Sequence, residues 1–397
     1  MTGVEDHDRR IRLQSRRFVY RLEDVAAEFV GRDEVVRILG LAALSREHVL
    51  LLGPPGTAKT AVINAFQQML TGAHQFSYLL TRFTEPAELY GPLDVQLFND
   101  ESTFRFNTDG MLPKAHLAFL DEVFSGSSAI LNTLLTLINE RVFYNGSEKQ
   151  PANLHLLLGS TNELPTDPVL AAFSDRFLLR CKLGYVGADQ LGRLLDKGWE
   201  HERRLARPAV AEDQDRSRFS LPELEELQRE LVSVDLTPVR DLLLRTLRAL
   251  DVEGVRFSDR RAVKAQKLVA ASALLGSRKV AVREDLGVLA YMWTEKGDDE
   301  TIRKVLEELE VPVEVGGRPV RDRTEVELDF RNATQGRQGG SGAEREQHVY
   351  QLHDLLQEAE ADHPDLAETI RGAYEQAVAE LENDRGDGPD DDRQDDR

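Results

Sequence analysis

Short unbroken apolar runs alternate with stretches of helical periodicity from residue 48 onward. HVLLLG (48–53) ends in glycine, as a buried parallel strand does. TAVINAFQQML (60–70) then reads as a helix. LAFLDEVF (117–124) is a second apolar run, closed by paired carboxylates, and AILNTLLTLINER (129–141) sets Ile130, Leu131, Leu134, Leu135 and Ile138 on one helix face. LHLLLGSTNE (154–163) is a third strand with a polar C-terminal end. This alternation predicts an α/β sheet that gathers ligands at the C-terminal ends of its strands.

The pattern then changes. Residues 187–296 read as entirely helical, with LPELEELQRELVSV, PVRDLLLRTLRAL and DRRAVKAQKLVAASALL as examples, and form a second domain after an α/β domain over 1–186. Residues 297–334 connect onward and include a weak β alternation at 311–330. Residues 335–383 comprise a Gly-rich linker, QGRQGGSG, and two helices (344–361 and 364–382) expected to form a hairpin. The acidic end, 384–397, lacks apolar residues and is expected to be disordered. NDES near residue 100 and FYNGSEKQPANL (143–154) read as hairpin turns.

Charge narrows the function. The 397 residues carry 70 acidic and 50 basic side chains, a net −20 that opposes sequence-blind binding to nucleic acid or anionic membrane. The basic segment DRRIRLQSRRFVYR (8–21) is read as a solvated or subunit-facing helix in preference to a nucleic-acid arm. The single cysteine, Cys181, fits a reducing compartment and a place in the core. No signal-type or membrane-spanning apolar stretch is evident, and the expected location is cytoplasmic. The nine histidines show no metal-binding spacing, and no G-x-S-x-G turn is present.

The chemistry centres on GPPGTAKT, which departs from the phosphate-loop pattern G-x-x-x-x-G-K-[ST] only at Ala58. Gly53, Pro54, Pro55, Gly56, Thr57 and Ala58 would form a turn whose N–H groups face phosphate oxygens at a helix N-terminus. Lys59 would reach the β- and γ-phosphates, and Thr60 would supply a hydroxyl to Mg²⁺. Asp121 is placed on the metal side, with Glu122 beside it to orient and deprotonate the attacking water. Asn162, at the third strand tip, is placed against the γ-phosphate or that water.

Together with STNELP, SDRF and SDRR, these motifs resemble the AAA+ ATPases and, within them, the MoxR family, where alanine at the Ala58 position is familiar. AALSREHVLLLGPPGTAKT, YLLTRFTEPAELYGPL and VRFSDRRAVKAQKLVAASALL are similar to the RavA subfamily, over roughly residues 15–296. The resemblance implies an α/β P-loop parallel-sheet domain with a helical lid and a small, mostly helical C-terminal extension. It implies Mg²⁺ and ATP as cofactors, a homo-oligomeric, hexameric ring, and a partner bearing a von Willebrand factor A domain. It makes Arg176 the arginine presented to a neighbouring subunit. It makes Arg260, favoured over Arg261, the lid arginine that senses the γ-phosphate of its own subunit. Val30 and Gly31 are placed near the adenine, and Arg141 near the interface.

The expected function is ATP-driven, chaperone-like remodelling or maturation of a protein complex. The alternative is an AAA+ motor acting on nucleic acid, against which the net charge counts. RavA-type proteins carry a partner-binding insertion beyond the lid, and the corresponding region here is short.

Overall fold

The structure is a computed structural model. It describes residues 2–94, 104–165, 167–205, 218–313 and 323–334, and 348–386 except 350, 354, 357, 358, 361 and 362. They fall into two compact units that divide after Gly317.

The first unit opens with helix α1 (Thr2–Ala27) and helix α2 (Asp33–Ser45), then strand β1 (His48–Leu52) and helix α3 (Lys59–Met69). Strands β2 (Gln75–Leu79) and β3 (Leu117–Asp121), helix α4 (Ser128–Glu140), and strands β4 (Leu156–Thr161) and β5 (Phe177–Lys182) follow. The sheet order is β2-β3-β4-β1-β5, and every neighbouring pair is parallel. Both sheet faces are covered, which is why the strands read as unbroken apolar runs. All five C-terminal ends lie along one edge, and the loop at 53–58 leaves that edge from β1.

The hairpin read at 143–154 is present as antiparallel strands Val142–Asn145 and Glu148–Pro151, turning through Gly146 at φ 66°. The NDES turn lies outside the described residues.

The helical part comprises α5 (Leu191–Leu205), α6 (Leu221–Glu230), α7 (Arg240–Val252), α8 (Asp259–Leu275) and α9 (Asp298–Glu308). It is not wholly helical: Phe219–Ser220 pairs in parallel with Leu70–Thr71. Nor does it end at 296. Ile302, Val305 and Leu306 on α9 are buried in the same core as the other lid helices, at the i, i+3, i+4 spacing of one helix face. That core also holds Val49, Leu51, Phe119 and Leu158 of the sheet, so sheet and lid are one packed body.

Helix α8 of the lid is fixed to the N-terminal edge of the sheet, while Asp299 of α9 bonds Lys182 at the C-terminal end of β5 at 2.6 Å. Arg261, buried on α8, hydrogen-bonds the carbonyls of Phe177 at 3.4 Å and Leu178 at 3.0 Å and that of Met292 at 2.5 Å. Buried Glu47, just before β1, accepts from Lys264 and, at 3.2 Å, from Lys267. Such buried, paired charges fix orientation because either partner left alone would be costly.

Helix α1 buries Ile11 and Phe18, and its basic side chains meet α6: Arg17 bonds Glu223 at 2.7 Å, and Arg10 pairs with Glu226. The face read as solvated is thus partly spent on an acidic helix.

The second unit corrects the later part of the weak-β reading at 311–330, of which 314–322 lie outside the described residues. Residues 323–334 form helix α10 (Arg323–Thr334). A strand would put Val326 and Leu328 on one face, but Val326 is fully buried while Leu328 is 54% exposed. Helix α11 (Pro364–Gly386) follows, and positions described between 348 and 360 are helical. Val326, Leu355, Ala359, Leu366 and Ile370 form its core, so three segments pack where two were expected.

Candidate nucleotide site

The loop after β1 is held from behind. Gly53 donates to Thr161 O at 3.1 Å, and Leu183 to Leu52 O at 2.7 Å. A Cβ at Gly53 would lie 2.2 Å from Leu183 O, so only glycine fits there. Gly56 and Ala58 both take left-handed backbone, at φ 80° and 63°. For a non-glycine residue that conformation costs about 1–2 kcal/mol, and Ala58 bears it at the first turn of α3. No side chain caps α3 and no acidic residue lies in its first turn, which leaves its N–H groups and dipole facing outward for an anion.

Arg32 clasps this loop, an arrangement not anticipated in the sequence. Buried, it hydrogen-bonds Thr57 O at 3.2 Å, Gly31 O at 2.8 Å and Gly184 O at 2.9 Å. Burial pulls its pKa below the usual guanidinium value. Tyr185 O–H adds a bond to Pro55 O at 3.3 Å. Arginine in the VGRDE stretch was the available signal, but its three carbonyl partners come from three separate segments.

Gly31 also lines a cavity of about 340 Å³, walled by Leu22, Ala26, Phe29, Gln190 and Leu275 among others. Val30, expected beside Gly31 at the base, is buried in the core and does not line this cavity.

Across the sheet edge, Lys59 Nζ lies on Pro54 O at 3.1 Å and donates to Asn162 Oδ1 at 3.3 Å. Asn162 Nδ2 in turn donates to Glu122 Oε1 at 2.7 Å. Asp121 Oδ1 accepts from Glu122 N–H at 3.0 Å and from Ser160 Oγ. Ser160 was also missed, since only the pairing of β3 with β4 brings it to Asp121. Glu122 sits at φ 48°, a strained backbone of the kind stored at functional sites. Lys59, Asp121, Glu122 and Asn162 thus meet at the C-terminal ends of β1, β3 and β4, with Thr60 next to Lys59 in the first turn of α3. An exposed hydroxyl at Thr60 and a carboxylate at Asp121 are hard oxygen donors that fit Mg²⁺, and the uncapped helix start fits a polyphosphate.

The arginines lie elsewhere. Arg176 directly precedes β5, at the opposite edge of the sheet from the loop. Arg260 donates to Asp175 O at 3.0 Å and Asn139 Oδ1 at 3.4 Å. Burial, then the neighbouring Arg260 charge, lowers the pKa of Arg176 against the opposing pull of Asp175. With β5 six residues long, this edge is about 17 Å from the loop. Arg260 therefore cannot sense the phosphate of its own chain, contrary to the same-subunit expectation: α8 is anchored at the wrong end of the strands. Arg261 is structural. Arg141 is likewise turned inward, to the carbonyls of Leu154 and, at 2.8 Å, Arg46.

A parallel sheet in this order, with a phosphate loop after β1, an acidic pair at the end of β3, asparagine directly after β4 and a helical lid, defines the AAA+ class of P-loop ATPases. The comparisons narrow it. The sequence profile of the MoxR domain in MoxR–vWA–β-propeller ternary systems matches residues 16–228, more than half of the chain, and an AAA lid domain profile matches 238–306. The uncharacterized Methanocaldococcus jannaschii proteins MJ0812 and MJ0079 are each 35% identical over 278 residues, 70% of this chain and 71% and 70% of theirs. The chaperone MoxR1 of Mycobacterium tuberculosis is 27% identical over 42% of this chain and 44% of its own. In fold, a crystal structure from Cytophaga hutchinsonii described as a presumptive ATPase aligns at TM-score 0.61 and 19% identity, over 78% of this chain and 98% of that one. The chain belongs to the MoxR family of AAA+ ATPases.

Proposed function

We propose that this protein hydrolyses Mg²⁺·ATP between copies of itself and uses the cycle to remodel or mature a partner protein complex. The observation that carries this reading is the hydrogen-bonded chain Lys59–Asn162–Glu122, with Asp121 and Thr60 beside it. It sets a phosphate-seeking cation and a water-directed carboxylate on one amide.

In this reading the loop N–H groups and Lys59 would bind the phosphates, and Thr60 and Asp121 would hold Mg²⁺, which would neutralise phosphate charge. Glu122 takes the proton of the attacking water, and Asn162 positions it. Gly31 and the adjoining cavity receive the base. Arg176 and Arg260 serve the nucleotide of a neighbouring copy, which makes a closed ring the fitting assembly, a hexamer as the resemblance implies.

The partner is expected to bear a von Willebrand factor A domain, with a β-propeller protein as a further member, because the matched family is described from such ternary systems. Closeness to RavA rests on the sequence stretches alone. A cytoplasmic setting is consistent with the lack, among described residues, of a helix long and apolar enough to cross a membrane. Nucleic acid is a poor fit, because basic residues of α1 are engaged by α6.

Purified full-length chain should release phosphate from Mg²⁺·ATP. Glu122→Gln should bind ATP without turnover. A wild-type protein that binds no nucleotide removes the core of the proposal.

A further inference from the structure

Arg32 is 8% exposed, and its partners are all backbone oxygens: Nε donates to Thr57 O, Nη1 to Gly31 O and Nη2 to Gly184 O. Among the described residues no acid pairs with it. Cys181, close enough to act on it, is a buried thiol that burial holds in its neutral form. A positive charge is thus held out of water directly behind the phosphate loop, which is costly until something negative offsets it.

The bond to Thr57 O also sets a direction. In a trans peptide the Thr57 carbonyl and the Ala58 N–H point to opposite sides. A carbonyl drawn inward by Arg32 therefore turns that N–H outward, toward the anion position at the start of α3. Thr57 is pinned a second time, because its hydroxyl donates to Pro54 O at 2.9 Å. The segment that carries Arg32 is fixed on its other side as well. Glu34, in the first turn of α2, accepts from the Tyr291 hydroxyl and, at 3.2 Å, from Arg303.

We propose that Arg32 is a positioning residue for ATP: its planar fork aims the phosphate loop from behind, and its charge draws the polyphosphate to the loop without touching it. The proposal rests on the reading of this loop as a nucleotide site. Lysine is no substitute, since a single ammonium cannot hold three carbonyls in one plane. A clasp that served folding alone would cost stability and leave the affinity of the folded protein unchanged.

The full-length wild type, Arg32→Gln and Arg32→Lys are titrated with Mg²⁺·ATP and with Mg²⁺·triphosphate, the inorganic ion that lacks base and ribose. Each titration is run well below the melting transition of that protein. Arg32→Gln, which loses charge and fork, should bind both probes about 30-fold or more weakly. Arg32→Lys, which keeps the charge and loses the fork, should bind them about 5-fold or more weakly, and it decides the matter where the glutamine variant does not fold. The two probes should weaken by a similar factor, because the loop is what they share. In steady-state turnover the loss should fall on KM more than on kcat, since Arg32 touches neither Glu122 nor Asn162.

Affinities within about twofold of wild type in both folded variants would overturn the proposal and leave Arg32 a structural clasp. A loss confined to ATP, with triphosphate bound as before, would also overturn it by placing the effect on the base side. A wild type that binds neither probe removes the nucleotide reading itself. Tight binding by wild type and variants alike removes this proposal alone.

Discussion

Asn162 accepts a hydrogen bond from Lys59 at 3.3 Å and donates one to Glu122 at 2.7 Å, so one side-chain amide ties the phosphate-loop cation to the acid of β3. Bound phosphate would draw Lys59 off its loop carbonyls, and Asn162 would feel that movement directly. Asn162→Ala should leave ATP affinity within a few-fold and lower kcat about 10–100-fold. Equilibrium binding and single-turnover hydrolysis separate the two. An unchanged kcat would remove Asn162 from the machinery.

Ala58 occupies left-handed backbone that glycine adopts freely. Ala58→Gly relieves that strain but loosens the unfolded chain, and the net change should lie between zero and about 1 kcal/mol of added stability. Nucleotide affinity should stay nearly constant, whereas Lys59→Ala should abolish it. Calorimetric melting and ATP titration read both, and a much tighter glycine variant would mark the native loop as decayed.

Arg260 and Arg261 are adjacent in sequence and opposite in role. Arg261 is 1% exposed and bonds three carbonyls, so Arg261→Ala should destabilise the protein by about 3 kcal/mol or more. Arg260→Ala should melt like wild type while losing turnover. Thermal denaturation beside ATPase assay tests the split, and it fails if Arg261→Ala melts normally.

His48 accepts a hydrogen bond from Leu157 N–H at 3.1 Å, and burial above all pushes its pKa to about 3; His155 is pushed to about 4 for the same leading reason. Both are neutral in the folded protein, while the unfolded chain protonates them below about pH 6.5. Folded pKa values below unfolded ones mean stability present above that pH and lost as pH falls toward 3–4. The slope is about 1.4 kcal/mol per pH unit for each histidine. Denaturant midpoints from pH 7 to 5 should fall, and His48→Asn, which retains an acceptor, should flatten the slope. A midpoint independent of pH in that range would contradict this.

The sheet, the phosphate loop and the β3 acids were legible because strand periodicity and eight contiguous residues state them locally. Arg32 was not, since two of its three carbonyl partners, Thr57 and Gly184, come from distant segments. The position of Arg260 was not either: SDRR shows a capped helix start, but only α8 anchored through Arg261 and Lys267 shows which end of the sheet it meets. The 323–334 segment misled because V-x-L-x-F alternates like a strand, while packing of Val326 against α11 residues selects the helix.

The proposed turnover requires a site shared between copies. Lys59→Ala keeps the arginine pair but cannot bind ATP, and Arg176→Ala keeps the loop but lacks its arginine. Each should be inactive alone. Mixed in equal amounts under exchange, they should recover about one quarter of the wild-type rate per subunit, the share of interfaces with both elements intact. A mixture that stays inactive beside an active wild type, or an Arg176→Ala protein that is fully active by itself, would contradict it.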